Sequence, residues 1–264
     1  MADVDGTLLG KQGTISTEDK QALARAYKTG IGISLSTGRV RQTSLKIIDQ
    51  LSLDGYHIFF DGALVNNPET DDTVYGRPIS REKIRQMIEF AHRSGVTIDF
   101  YSVSHFFAEE ENWTTDIRRE FFGIEPVIVD FDRLWQEEEI FKGTLVVASA
   151  EEKARAEFFC RHFGDSISFS VTSTPSYPGV DFINVLAPGV SKGEALEALV
   201  SHLGVPLSAV AAIGDGVNDV SLLAKAGLAI AMDNAPPELK AVADHITRDA
   251  DHNGVAAAIE RFLL

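Results

Sequence analysis

Cysteine is nearly absent: Cys160 is the single one in 264 residues. An intramolecular disulfide is therefore impossible, and a cysteine-built structural zinc site is excluded within one chain. Inside Phe158-Phe159-Cys160-Arg161-His162-Phe163, Cys160 reads as a small apolar residue, with nothing nearby that asks for a reactive thiol. Positive charge is scarce too. Lys and Arg number 24 against 39 Asp and Glu, a formal net charge of −15, and no run of basic residues makes a patch. Nucleic acid and anionic membranes are poor partners for such a chain. No apolar run reaches the roughly 18 residues a spanning helix needs. The first residues lack the basic and apolar segments of a signal peptide, so a cytoplasmic protein is expected. The seven His are scattered, with no His-x-x-x-His pair.

What is present is an ordinary globular composition, 44% hydrophobic and 24% charged, in a chain long enough to bury a core without staples. Short apolar runs alternate with helical stretches, which predicts an α/β fold. Ser16, with Asp19 three residues on, reads as the N-cap of a helix that Gly30 ends. Ile31–Ser36 and His57–Phe60 read as buried strands, the first running into Thr37-Gly38-Arg39 and the second into Asp61-Gly62. The middle of the chain crowds Phe90, Phe100, Tyr101, Phe106, Phe107, Trp113, Phe121, Phe122 and Trp135. It reads as an inserted α/β unit over residues 78–182. The remainder, 1–77 and 183–264, is expected to form a doubly wound, Rossmann-like parallel sheet. Phe182–Leu186 and Val210–Ile213 are among its expected strands, Asn218–Ala226 is an expected helix, and Ser191 caps another helix.

Two acidic clusters sit at expected strand ends: Asp3-Val4-Asp5-Gly6-Thr7-Leu8-Leu9 and Gly214-Asp215-Gly216-Val217-Asn218-Asp219. In an open parallel sheet, ligands bind beyond the carboxyl ends of the strands. Both clusters would meet there, together with Thr37-Gly38-Arg39. Converging carboxylates repel one another unless a cation sits among them, and an oxygen-only donor set suits Mg²⁺. Each piece alone has a plainer reading. Asp-Gly is a turn dipeptide, Asn218 is an N-cap, and Lys192 is a solvated surface lysine. At a helix start facing an acidic crevice, Lys192 instead binds a phosphate oxygen. The ordered set of strand-end signals, with Ser191-Lys192-Gly193, favours a site.

These residues resemble the haloacid dehalogenase superfamily of phosphotransferases, in its Cof-like branch with a large α/β cap. The likeness is carried by Asp3–Leu9, Ser36–Arg39, Gly189–Gly193, Gly214–Asp219 and Ala231-Met232-Asp233-Asn234-Ala235, in the family's order. It implies a Mg²⁺-dependent phosphatase of small phosphorylated metabolites, most expected to be sugar phosphates. Asp3 is then the nucleophile that becomes a phosphoaspartate, and Asp5 the acid and base. Asp3, the Asp5 carbonyl and Asp215 hold the metal, with Asp219 a further ligand or the partner that orients Lys192. Thr37, the Gly38 amide, Lys192 and Asn218 hold the phosphoryl oxygens. The cap is expected to close over the crevice on hinges near Val74–Pro78 and Pro178–Val185.

Two departures from the family pattern stand out. Only Met1 and Ala2 precede Asp3, too few to cross a sheet at about 3.3 Å per residue. A late start or a trimmed chain is expected, which puts the positioning of Asp3 in question. Asp61 stands where the family commonly has Asn, and is expected to be a turn residue leading into the cap. Rival readings fare worse. An EF-hand needs glycine at position six from its first aspartate, and Gly6 is fourth from Asp3. No nucleotide P-loop is present. A phosphomutase on the same scaffold and a non-catalytic phosphate-ligand-binding protein remain as alternatives. The oligomeric state is left open.

Overall fold

The structure, a computed structural model, describes residues 1–173 and 177–264. The side chains of Phe121, Phe122 and Ser173 lie outside the description. The chain divides into two compact units. Met1–Arg39, Ser44–Gly76 and Ser191–Leu264 form one; Val40–Thr43 and Arg77–Val190 form the other.

The first unit is a parallel sheet with a short antiparallel extension. Strands Ala211–Gly214, Leu228–Ala231 and His245–Ile246 pair in parallel. Parallel strands covered on both faces read as continuous apolar runs, as Ala212-Ile213 and Ala229-Ile230-Ala231 do. Single parallel bridges continue the sheet: Ala2 to Ile213 on one side and to Leu35 on the other, then Ser36 to Ile58. Ala2 thus bridges both neighbours. The ladder there is still regular: Asp3 N–H donates to the Ile213 carbonyl at 2.9 Å, and Ser36 N–H to the Ala2 carbonyl at 2.9 Å. Beyond His57–Phe59, strands Leu64–Asn67 and Asp72–Gly76 extend the sheet antiparallel. Helices Lys192–Leu203 and Val220–Lys225 cover one face, burying Leu196, Leu199, Leu222 and Leu223 against Ala212, Ala229 and Ile58. Helices Thr17–Lys28 and Gly254–Phe262 pack on each other apart from that cluster. Ser16 caps the first of them by accepting from Asp19 N–H at 2.9 Å. The Asp19 carboxylate reaches across to accept from Ala256 N–H at 2.7 Å.

The second unit is a six-stranded sheet. Its strands lie in the order Pro126–Ile128, Phe106–Ala108, Asp99–Tyr101, Lys142–Val147, Asp181–Leu186, Ser168–Ser173. Alternation along the strands gives it two unlike faces. Phe100, Phe107, Leu145, Ile183 and Val185 pack under helices Arg81–Ser94 and Ala150–Phe163, with Met87, Phe90 and Phe159. On the opposite alternation, Asp99 and Tyr101 meet Arg118 from the helix Trp113–Phe122. Arg118 is fully buried, 2.9 Å from the Asp99 carboxylate, and its Nε donates to the Tyr101 hydroxyl. Cys160 is half-buried against the apolar cluster, as a small apolar residue would be.

The expected boundary at 182/183 falls inside a strand. Asp181–Leu186 pairs antiparallel with Lys142–Val147 and with Ser168–Ser173, so residues 183–190 belong to the second unit rather than to the core. The chain crosses between units at 39/40, 43/44, 76/77 and 190/191, the last crossing lying beyond the expected hinge at Pro178–Val185. The expected Asn218–Ala226 helix is also altered. Val217–Asp219 is a 3₁₀ turn, and the α-helix runs only over Val220–Lys225. The cause is Asp219, whose Oδ2 accepts from the Asp215 and Gly216 amides at 3.0 and 2.9 Å and tightens the turn.

Candidate active site

Asp3 leaves the carboxyl end of the innermost segment of the first unit, and Asp215 follows the neighbouring strand Ala211–Gly214. Lys192 opens the helix Lys192–Leu203, whose N-cap Ser191 accepts from Glu194 N–H at 3.2 Å. These three origins place a lysine between acids. Lys192 is 0% exposed. Its Nζ lies 2.6 Å from Asp3 Oδ1 and 2.5 Å from Asp219 Oδ1. The reading of Lys192 as a solvated surface residue is therefore excluded. Burial acts to lower its proton affinity, but the charges of Asp219, Asp3 and Asp61 more than offset this and hold it above the ordinary lysine value.

One oxygen from each of Asp3, Asp215 and Asp219 lies within 4.8 Å of the others. Burial first, then the charges of Asp219 and Asp215, push the Asp3 carboxyl well above the usual carboxylate range against the pull of Lys192. Burial, aided by Asp219, pushes Asp215 up to about 6 against a hydrogen bond from Thr7. One ammonium thus leaves negative charge uncompensated in an all-oxygen donor set, and a hard divalent cation fits such a set. Asp219 has the fewest sites to spare: its Oδ1 takes Lys192 and its Oδ2 takes two amides.

Asp5 turns away from this group. Its carboxylate is exposed and held by Arg39, whose Nε and Nη2 donate to its two oxygens at 2.7 and 2.6 Å. Gly6 then reverses the chain at φ +87°, so closely packed that a Cβ there would stand 2.1 Å from Asp215 Oδ2. Only glycine satisfies both demands. Thr37 is buried, and its hydroxyl oxygen accepts from Arg39 N–H at 3.1 Å, leaving its proton free to donate. Asn218 Nδ2 donates to Asp61 Oδ1 at 2.8 Å. Asp61 is thus more than a turn residue. Its backbone is left-handed, but its carboxylate is buried beside Asn218 and Gly38.

Four participants went unassigned in the sequence. Thr7 Oγ1 donates to Asp215 Oδ1 at 2.8 Å, and Asn234 Nδ2 donates at 3.0 Å both to Asp215 Oδ2 and to the Gly6 carbonyl. Arg39 and Asp61 are the others. Thr7, Arg39 and Asn234 each lie inside a segment already singled out, and that proximity was the available signal.

A parallel sheet with acids and a buried lysine at its carboxyl edge, joined to a separate α/β unit, defines a phosphoryl-transfer architecture. Residues 1–259 match the family described as haloacid dehalogenase-like hydrolase, and the chain belongs to that family. It falls in the Cof-like branch and is a phosphoric monoester hydrolase by class. It is similar to phosphatase YwpJ of Bacillus subtilis strain 168, 26% identical over 292 residues that cover 99% of this chain and 98% of that one. It is also similar to the 5-amino-6-(5-phospho-D-ribitylamino)uracil phosphatase YwtE of the same strain, 28% identical over 286 residues, 99% of this chain and 96% of that one. Among solved structures, a haloacid dehalogenase-like hydrolase from Bacteroides thetaiotaomicron superposes with a TM-score of 0.85 at 26% identity, covering 99% of this chain and 98% of that one. Among the described residues, no helix is long and apolar enough to cross a membrane.

Proposed function

We propose that this chain is a Mg²⁺-dependent phosphatase of small phosphorylated metabolites, sugar phosphates foremost, that works through a phosphoaspartate on Asp3. The observation that carries the reading is Lys192, fully buried and bonded to both Asp3 and Asp219, with Asp215 in the same acidic group. A carboxylate attacking a phosphate meets like-charge repulsion, and a buried ammonium at the nucleophile offsets it. Asp3 forms the bond to phosphorus while the substrate's ester bond breaks. Asp5 gives the departing alkoxide a proton, then takes one from the water that hydrolyses the acyl phosphate. The Arg39 pair holds Asp5 apart from the crowded acids, so the two aspartates are set different tasks by different neighbours. Asp3, Asp215 and the Asp5 carbonyl are the residues that would hold Mg²⁺, which when bound neutralises phosphoryl charge. Asp219, with both oxygens engaged, orients Lys192. Thr37, the Gly38 amide, Lys192 and Asn218 supply the donors for phosphoryl oxygens.

The name of the relative YwtE describes a substrate phosphorylated on a ribityl chain, which supports a small, hydroxylated phosphomonoester here. The test is a panel of phosphorylated metabolites screened for phosphate release with Mg²⁺ and with chelator, ranked by kcat/KM. Chelator-sensitive release concentrated on sugar phosphates is the expected result. No release from any monoester ends the reading.

A further inference from the structure

Phe60 and Asp61 are consecutive non-glycine residues in the left-handed region, at φ +53° and +55°. A bulky residue is rarely found there, and such strain is held only where the surroundings over-determine it. Here Phe60 N–H donates to the Arg39 carbonyl at 3.1 Å and Asp61 N–H to the Thr37 carbonyl at 3.0 Å. The turn is thereby pinned to the segment Thr37–Arg39, and it delivers the Asp61 side chain into the protein at 8% exposure. Asp61 Oδ1 lies so near Gly38 that a Cβ there would be 2.6 Å away. The same oxygen accepts from Asn218 Nδ2 at 2.8 Å. A single buried carboxylate therefore adjoins Gly38 and Asn218, and its charge reaches Lys192.

We propose that Asp61 is a positioning residue that builds the phosphoryl cradle by locking the Asn218 side-chain amide, and that its charge keeps the cradle from holding inorganic phosphate tightly. The inference rests on the reading of Thr37, Gly38, Lys192 and Asn218 as phosphoryl-oxygen donors. A carboxylate only accepts, so Asn218 must turn Nδ2 toward it. One N–H of that nitrogen is spent on Asp61, and the second is left in the amide plane for a phosphoryl oxygen. A partner with no acceptor oxygen would leave the amide free to flip. The same anion, buried and close to the donors, repels a phosphate dianion once the ester is gone.

The test is calorimetric titration of inorganic phosphate with Mg²⁺ into wild type, Asp61→Ala, Asp61→Asn, Asn218→Ala and the double Asp61→Ala/Asn218→Ala variant, alongside thermal melting. Asp61→Asn tolerates the left-handed backbone and keeps an acceptor, so it guards against loss of the fold. Asp61→Ala is expected to weaken phosphate binding about tenfold, as is Asn218→Ala, with the double variant no weaker than either. Asp61→Asn, which keeps the acceptor and removes the charge, is expected to bind phosphate more tightly than wild type, and binding at the wild-type value overturns the role given to the charge. Independent, multiplying losses in the double variant overturn the proposal. So does an Asp61→Asn protein as weak as Asp61→Ala, or a wild type that binds no phosphate. Turnover is scored separately: phosphate binding with the expected coupling but no monoester hydrolysis would retire the phosphatase reading and leave the cradle standing.

Discussion

Lys192 and Asp3, 189 positions apart in sequence, meet at 2.6 Å in a place solvent does not reach. The lysine is as much a structural element as a chemical one, since it also bonds Asp219. Breaking a buried ion pair by removing one partner costs about 3–5 kcal/mol. Lys192→Met keeps the stem and removes the charge. It should lower the unfolding free energy in urea by about that amount, measured with chelator present, and abolish phosphate release. A variant as stable as the wild type would show that Asp3 and Asp219 do not depend on the ammonium.

Asp5 should reveal its role through the leaving group. General acid catalysis contributes about 10²- to 10⁴-fold where the departing oxygen needs a proton. Asp5→Asn, which still accepts from Arg39, should lose about 10²-fold or more in kcat/KM on alkyl phosphates and far less on p-nitrophenyl phosphate. Equal losses on both would remove the acid from its assigned task.

His57 gives the fold a pH dependence. Its Nδ1 accepts from Leu35 N–H at 3.1 Å in the sheet, and Nε2 has no hydrogen-bond partner among the described residues. Burial lowers its pKa from 6.5 to about 4. Between those values the unfolded chain binds a proton that the native chain refuses. The stabilisation is therefore complete above about pH 6.5 and is lost as pH falls toward 4, a swing of up to about 3 kcal/mol. His57→Asn places an amide oxygen near the Nδ1 position. Its unfolding free energy, compared with wild type at pH 7.5 and pH 5, should show the smaller drop. Parallel curves would assign the dependence elsewhere.

The site was largely legible because its residues stand at strand ends and helix starts, and those are marked by local signals. Asp215 follows an apolar run, Asp3 opens the segment Asp3-Val4-Asp5-Gly6, and Ser191 announces the helix that Lys192 begins. What stayed hidden depends on partners distant in sequence. The apolar run Phe182–Leu186 reads alike in a parallel core or in an antiparallel sheet, and only its pairing with Lys142–Val147 decides. Asp61 has the look of a turn residue, and its backbone makes one, but its bond to Asn218 spans 157 positions. Arg39 follows the marked Thr37-Gly38 pair, yet nothing local shows that it grips Asp5. The expected strand Ile31–Ser36 is reduced to bridges at Leu35 and Ser36, with partners Ala2 and Ile58 that no local signal marks.

The central claim is that the Asp3 carboxylate itself accepts the phosphoryl group. Wild-type protein, mixed with a phosphomonoester and Mg²⁺ and quenched in acid within milliseconds, can be digested and the phosphorylated residue located by mass spectrometry. A hydroxylamine-labile phosphoryl group on Asp3 is the predicted result. Asp3→Asn should carry none, keep its melting temperature, and turn over on the order of 10⁴-fold more slowly or worse. A phosphoryl group on another residue, or wild-type turnover by Asp3→Asn, would contradict the account.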